Sequence, residues 1–323
     1  QFTKGVINMN NLKKVGLTAL AGALVSVSAN AADLSVTGGV SLNFSGEEKQ
    51  TTGNGWSMND GITFKATGEL DNGWNVTATQ IIDSSDQTLG AVMDTRILAI
   101  DMGDSGTLTF SGTGGSSVLA AIDDVTPTAG EESWDDVTGA SAIPGGTGGD
   151  DMFHYSNSSL MDGVTVSASY TPSDGTNQVE SSNDYGIKYT GIDGLTVGLA
   201  AGTDDTDPTA TLSITNSYVT YAMDAFTVGY QASESDSETA NADKDFTAIG
   251  VSYAVSEEMS VSLNSSTVDY ENATLSDQEA MGISVSYVMG SMTLKANHNT
   301  VDNIAGAATD DRSGYGLGLT FAF

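Results

Sequence analysis

Between positions 114 and 150 the chain places Asp123, Asp124, Glu131, Glu132, Asp135, Asp136 and Asp150, with no Lys or Arg among them. Carboxylates this dense can offer oxygen ligands to a hard divalent cation, share protons, or create a field that sorts charged solutes. Further acid pairs occur at Asp204-Asp205 and Asp310-Asp311. None of the pairs has the spacing of a dedicated metal loop. No metal site or cofactor is therefore expected, and any Ca2+ or Mg2+ held there would be held weakly. With no Cys, thiolate zinc sites and a Cys nucleophile are excluded. The two histidines, His154 and His298, lie far apart, and nothing favours a Ser–His pair, so no enzymatic activity is expected.

The charge balance narrows the partners. The chain has 42 acidic and 10 basic residues, and three of the bases (Lys4, Lys13, Lys14) precede residue 32. From Ala32 onward 7 bases face 42 acids, a balance of −35. Nucleic-acid binding is excluded, because it needs cations to displace phosphate counterions. Residues 9–31 read as a signal peptide: Lys13-Lys14, an apolar run from Val15 to Val27, and the small-x-small site Ala29-Asn30-Ala31. Residues 1–8, ahead of Met9, read as an upstream translation artefact. The apolar run is too short to span a bilayer as a helix. The mature chain, 32–323, is expected to be exported.

That mature chain alternates with period 2. Near its end Leu317, Leu319, Phe321 and Phe323 share one parity, and Gly316, Gly318, Thr320 and Ala322 the other. The same split separates Ile62 and Phe64 from Thr63 and Lys65, and Met292, Leu294 and Ala296 from Thr293, Lys295 and Asn297. Strand residues of opposite parity point to opposite faces, so these segments are strands with one apolar side. His298 shares the parity of Leu294 and Ala296, which puts it on the apolar side rather than at a catalytic centre. Short turns such as Asp71-Asn72-Gly73, Asp162-Gly163 and Asp193-Gly194 alternate with long acidic or Gly/Ser-rich stretches. About sixteen strands result, beginning at 33–45 and ending at 314–323. Strict short/long alternation predicts an antiparallel up-and-down β-barrel with one tight end and one elaborated end.

A closed barrel of that size is too wide for side chains to fill. Its inner face must meet water, and its outer face is apolar. Exposed to water, that outer band would exceed what a soluble monomer tolerates. Lipid removes the conflict, and closure pairs the backbone groups that hydrocarbon cannot solvate. The competing readings are an exported soluble β-sandwich, as in an adhesin or surface-layer protein, and an eighteen-stranded channel with an extra hairpin hidden in 114–150.

The signal peptide, the opening strand Asp33-Leu-Ser-Val-Thr-Gly-Gly-Val-Ser-Leu-Asn-Phe44, the block Asp94-Thr-Arg-Ile-Leu-Ala-Ile-Asp-Met-Gly103 and the ending Gly-Leu-Thr-Phe-Ala-Phe323 together resemble the Gram-negative general diffusion porins. The resemblance implies a sixteen-stranded transmembrane barrel and a homotrimer in the outer membrane, surrounded by lipid. It implies a third long loop folded into the lumen, and passive diffusion of ions and small hydrophilic solutes. Phe321 and Phe323 resemble the signal read by the barrel-assembly machinery. The constriction is then expected between the acids of loop 114–150 (Asp123, Asp124, Glu131, Glu132, Asp135, Asp136) and wall bases. Arg96 matches a wall arginine by position, and Lys65 is inward by parity. Few bases against many acids imply cation preference.

Overall fold

In the computed structural model, residues 33–49, 53–83, 93–141, 148–173, 181–205 and 211–323 are described. The expected signal peptide and the segment before it lie outside them. The strands are β1 (Asp33–Glu47), β2 (Trp56–Glu69), β3 (Asn75–Asp83), β4 (Thr95–Asp101), β5 (Thr107–Thr113), β6 (Gly115–Ser116), β7 (Gly148–Gly149), β8 (Met152–Met161), β9 (Val164–Thr171), β10 (Ser182–Ile192), β11 (Leu195–Asp204), β12 (Leu212–Met223), β13 (Phe226–Ser237), β14 (Lys244–Ala254), β15 (Met259–Tyr270), β16 (Gln278–Met289), β17 (Met292–Asp302) and β18 (Arg312–Ala322). All but β6 and β7 form one closed antiparallel barrel, each strand beside its sequence neighbour and β18 beside β1. β6 and β7 pair only with each other, inside the third loop, so the barrel has sixteen strands and no hidden hairpin in its wall. A β-sandwich is overturned by the closure itself.

Turn chemistry explains the tight end. Gly73, Gly163, Gly194 and Gly290 have φ of 82°, 72°, 73° and 61°, and Asp224 takes the same region at 52°. Tight hairpins demand these left-handed conformations, which Gly and Asp adopt most cheaply. Register then fixes the faces. β18 pairs Leu317 with Phe44, Leu319 with Leu42 and Phe321 with Val40, and these large residues all lie outward. Leu263, Ile283 and Leu199 do the same elsewhere, each more than half exposed. His298 follows its predicted parity, opposite Tyr315, and is exposed.

Closure of the seam uses the last residue. The Phe323 N–H donates to the Gly38 carbonyl at 2.8 Å, and the Gly38 N–H donates back at 2.8 Å. The Phe323 ring lies against Gly38, where a Cβ would stand 2.8 Å from it. Most buried apolar side chains gather in three clusters at the inner wall. Leu119 and Val118 pack with Ala200 and Ile214, Trp134 with Phe246, Ala248 and Val268, and Val137 with Ala280, Val301 and Ile304. Each contains a residue of loop 114–150, so the third loop lies inside the barrel. Within the loop Ala120–Ile122 forms a 3-10 helix.

Candidate pore constriction

The third loop is irregular, so its backbone donors and acceptors need partners that only the lumen wall can supply. The wall answers with amides. Gln231, on the inward face of β13, donates Nε2–H to the carbonyls of Ile122 and Asp123 at 3.1 and 3.0 Å. Its Oε1 accepts the Val125 N–H at 3.2 Å. Asn216 on β12 also donates to the Ile122 carbonyl, at 2.6 Å, and Asn264 on β15 to that of Pro127, at 2.9 Å. Asn299 on β17 spans the carbonyls of Glu132 and Asp135, both at 2.8 Å, and Gln278 on β16 exchanges two bonds with Ser141. An amide carries two N–H donors and a carbonyl acceptor on separate atoms, so one side chain bridges several groups of an irregular backbone, while the Ser169 and Ser262 hydroxyls each accept one loop N–H at 2.9 Å.

Inward glycines let the loop come close. A Cβ at Gly314 would fall 2.0 Å from the Asp136 carbonyl, and one at Gly316 would fall 2.4 Å from Asp136 Oδ2. The loop is thereby laid along the inner wall from β9 to β18. The inner face of β1–β5 makes none of these contacts among the described residues and borders the remaining opening.

Six acids ride on this seated loop. Asp124 and Glu131 are exposed to the lumen, and Asp123, Glu132, Asp135 and Asp136 are half-buried. Asp136 accepts from Asn297 Nδ2 at 2.8 Å. Glu131, Glu132 and Asp135 converge, their oxygens within 4.8 Å of one another, a set that could ligate a hard cation. Crowding shifts their titration. Desolvation, then a hydrogen bond and repulsion from Asp135, push Glu132 up to about 8. Desolvation and the neighbouring Asp124 push Asp123 up to about 6. Glu131 is raised by desolvation and by Asp135, Asp136 and Asp124, against the pull of Lys295.

The bases fall differently from expectation. Lys65 is inward: it pairs with Ser35 and Thr79 across β1–β2–β3 and is exposed in the lumen. Arg96 is not. It pairs with Gln80, which pairs with Phe64, and it shares the outward face of Leu98 and Ile100. Its Nη2 donates to the Gly112 carbonyl at 3.3 Å. The assignment of Arg96 to the lumen wall is therefore corrected. In β4 both parities are apolar, Ile97 and Ala99 against Leu98 and Ile100, so alternation gives no direction there and a positional match misleads.

Lys295, not singled out from the sequence, is a wall base that meets the acids of the loop. Its Nζ lies 3.9 Å from Glu131 Oε1 and donates to the Gly130 carbonyl at 3.3 Å. Parity with Thr293 and Asn297 already marked it inward. Only folding brings Glu131 to it. Arg312 is also inward but is consumed at the mouth by Glu47 and by Asp310, its Nε 3.0 Å from Asp310 Oδ1.

The geometry is that of a water-facing bore narrowed by an acidic internal loop. Among curated proteins no sequence matches the chain. Among solved structures it is similar to an anion-selective porin from Comamonas acidovorans, at TM-score 0.71 and 12% identity over 90% of this chain and 100% of that one. It is similar to OmpT, an outer membrane protein of Vibrio cholerae, in its trimer form, at TM-score 0.68 and 13% identity over 90% and 99%. Salmonella typhi OmpF gives TM-score 0.65 and 13% identity over 90% and 97%. At such identities these likenesses speak for the fold. The Gram-negative porin family model matches residues 16–274. With sixteen strands closed around a loop-narrowed bore and most of the sequence matching that model, the chain belongs to the Gram-negative porins of the outer membrane.

Proposed function

We propose that this porin is a passive channel for ions and small hydrophilic solutes with a preference for cations, and that it works as a homotrimer. One observation carries the preference. The six loop acids look across at an inner face of β1–β5 that, among the described residues, holds a single base, Lys65, amid Ser35, Thr37, Thr63, Thr77 and Thr109. Lys295 offsets part of Glu131. A low-dielectric constriction with excess negative charge concentrates cations and depletes anions. The barrel does not set this sign, since a porin of the same fold is described as anion-selective. Loop and wall charge decide it.

The eight proposed constriction residues thus reduce to seven, Lys65 and the six acids, with Lys295 added. Selection requires no cofactor and no covalent step. Phe321 and Phe323, outward at the seam with ring centroids 6.1 Å apart, suit recognition by the assembly machinery during insertion. Planar-bilayer reversal potentials in a KCl gradient test the sign: cation selectivity is expected, and anion selectivity would refute it.

A further inference from the structure

One recess in the bore departs from the charge of the rest. It is a cavity of about 330 Å3 between the third loop, at Ala121 and Ile122, and the wall residues His154, Thr165, Lys188 and Tyr218. No Asp or Glu lines it, although the chain has 42 acids and 10 bases. The recesses beside Glu47 and beside Glu131 carry acids instead.

Register places this recess beneath the loop. Thr165, Lys188, Gly198 and Tyr218 form one inward row across β9, β10, β11 and β12. The loop is held on rows farther from the tight turns. Asp184 accepts the Leu119 N–H at 3.3 Å and the Ser169 hydroxyl at 3.2 Å, and Asn216 holds the Ile122 carbonyl. The recess therefore opens on the tight-turn side of the loop, with exposed Ala121 and half-buried Ile122 as its roof. Two glycines make the room. A Cβ at Gly198 would stand 2.0 Å from the Tyr218 ring, and one at Gly186 would stand 2.5 Å from Val118.

The polar groups here are uncommitted. The side chains of Lys188 and Tyr218 make no hydrogen bond or ion pair among the described residues. Lys188 is exposed, but Tyr218 is only 8% exposed, and a buried tyrosine hydroxyl ordinarily has a partner. The two flank Gly198 on one row, about 10 Å apart at Cα, a span that their long side chains narrow. An ammonium and a phenol O–H are donors suited to a carboxylate. The roof of Ala121 and Ile122 suits an apolar body rather than a hydrated inorganic ion. A recess of this volume lies at the small end of ligand cavities, the scale of a single-ring molecule.

We propose that the recess is a binding subsite for small monocarboxylates with an apolar ring. The carboxylate sits between Lys188 Nζ and Tyr218 Oη, and the ring runs over Gly186 beneath Ala121 and Ile122, toward His154. A pore whose loop acids favour cations thereby holds an organic-anion station on its tight-turn side. The subsite needs only the folded barrel and is independent of the ion selectivity and the trimer proposed above.

The test is saturation-transfer NMR with benzoate on full-length protein extracted from outer membranes into a neutral detergent. Saturable binding is expected. Acetate, which lacks the ring, and benzylamine, which reverses the charge, should both bind more weakly. Lys188→Gln should weaken benzoate binding at least about fourfold, the worth of one contact charge in screened water. Ala121→Trp, which fills the recess from its roof, should abolish binding. Lys244→Gln removes an equal charge from β14 at the long-loop end, beside the Tyr270 ring, and should bind as wild type. Heat-shifted mobility shows whether each barrel folds; where Ala121→Trp does not, Ala121→Leu replaces it, with partial loss expected. No saturable binding by the wild type overturns the subsite. Benzylamine binding as well as benzoate, or indifference to Lys188→Gln, overturns the carboxylate contact, and indifference at Ala121 overturns the roof. Equal losses in Lys188→Gln and Lys244→Gln would reduce the effect to net charge and overturn the site.

Discussion

Lowering the pH should weaken cation selectivity in two steps, because the loop acids do not titrate together. Glu132 is raised to about 8 and Asp123 to about 6, each chiefly by desolvation. Their folded values lie above the usual carboxylate range, so each is ionised only above its shifted value and neutral below it. From about pH 9 to about pH 5 the loop should lose two of its six negative charges. One charge about 6 Å from a passing ion contributes about 0.7 kcal/mol at the dielectric of water, and screening at 0.1 M cuts this to about 0.4. Two charges are then worth about 0.8 kcal/mol to a cation and the opposite to an anion, so the cation-to-anion permeability ratio should drop about fifteenfold. The assay is the reversal potential in a KCl gradient across that range. Glu132→Gln should abolish the upper step and spare the lower, and Asp123→Asn should do the converse. A ratio that is flat from pH 9 to 5, or that rises on acidification, would refute the placement of these carboxylates beside the ion path.

Two further outcomes follow from the same geometry. Lys295→Gln removes the cation 3.9 Å from Glu131, and at pH 9 should raise the permeability ratio about fourfold by the same single-charge reckoning; reversal potentials check it. Gln231→Leu keeps side-chain volume but strands the Val125 N–H and the Asp123 carbonyl. At about 1–3 kcal/mol per buried unsatisfied group, docking of this loop segment should weaken by about 2–6 kcal/mol. Faster amide exchange at 122–126 in a barrel that still shows heat-shifted mobility is the expected reading.

Most of the wall was legible because lipid and water impose opposite demands at every second residue. Leu317, Leu319 and Phe321 against Gly316, Gly318 and Thr320 leave no doubt about which side is wet. The rule fails where its premise fails. β4 is apolar on both parities, so Arg96 could not be aimed. In β14 and β15 the inward Phe246 and Val268 are buried beneath the third loop rather than wetted. Asp60 stood in plain sight between Met58 and Ile62 as an acid on an apolar parity, a signal alternation supplies but does not explain. Loop 114–150 could be read as long and acidic. Its seat could not be read, since each amide anchor joins residues at least 94 positions apart, as Asn216 does with Ile122.

A sequence clue to that seat nonetheless exists. Asn216, Gln231, Asn264, Gln278, Asn297 and Asn299 all lie on inward parity, and all are buried. Inward amides also occur on β1–β3, as Asn43, Asn59 and Asn75, but none of these is buried and none bonds the loop among the described residues. The buried inward amides of β12, β13 and β15–β17 are the ones that bind the loop rather than solvent. The same division separates two tasks. The amide and glycine half of the wall fixes where the loop lies, and the β1–β5 half carries one base, Lys65, among the inward-parity acids Asp33, Glu47, Glu69, Asp83 and Asp101. Selectivity can then be changed at Asp123, Asp124 or Glu132, whose carboxylates make no bond to the wall among the described residues, whereas Asp136 is itself held by Asn297.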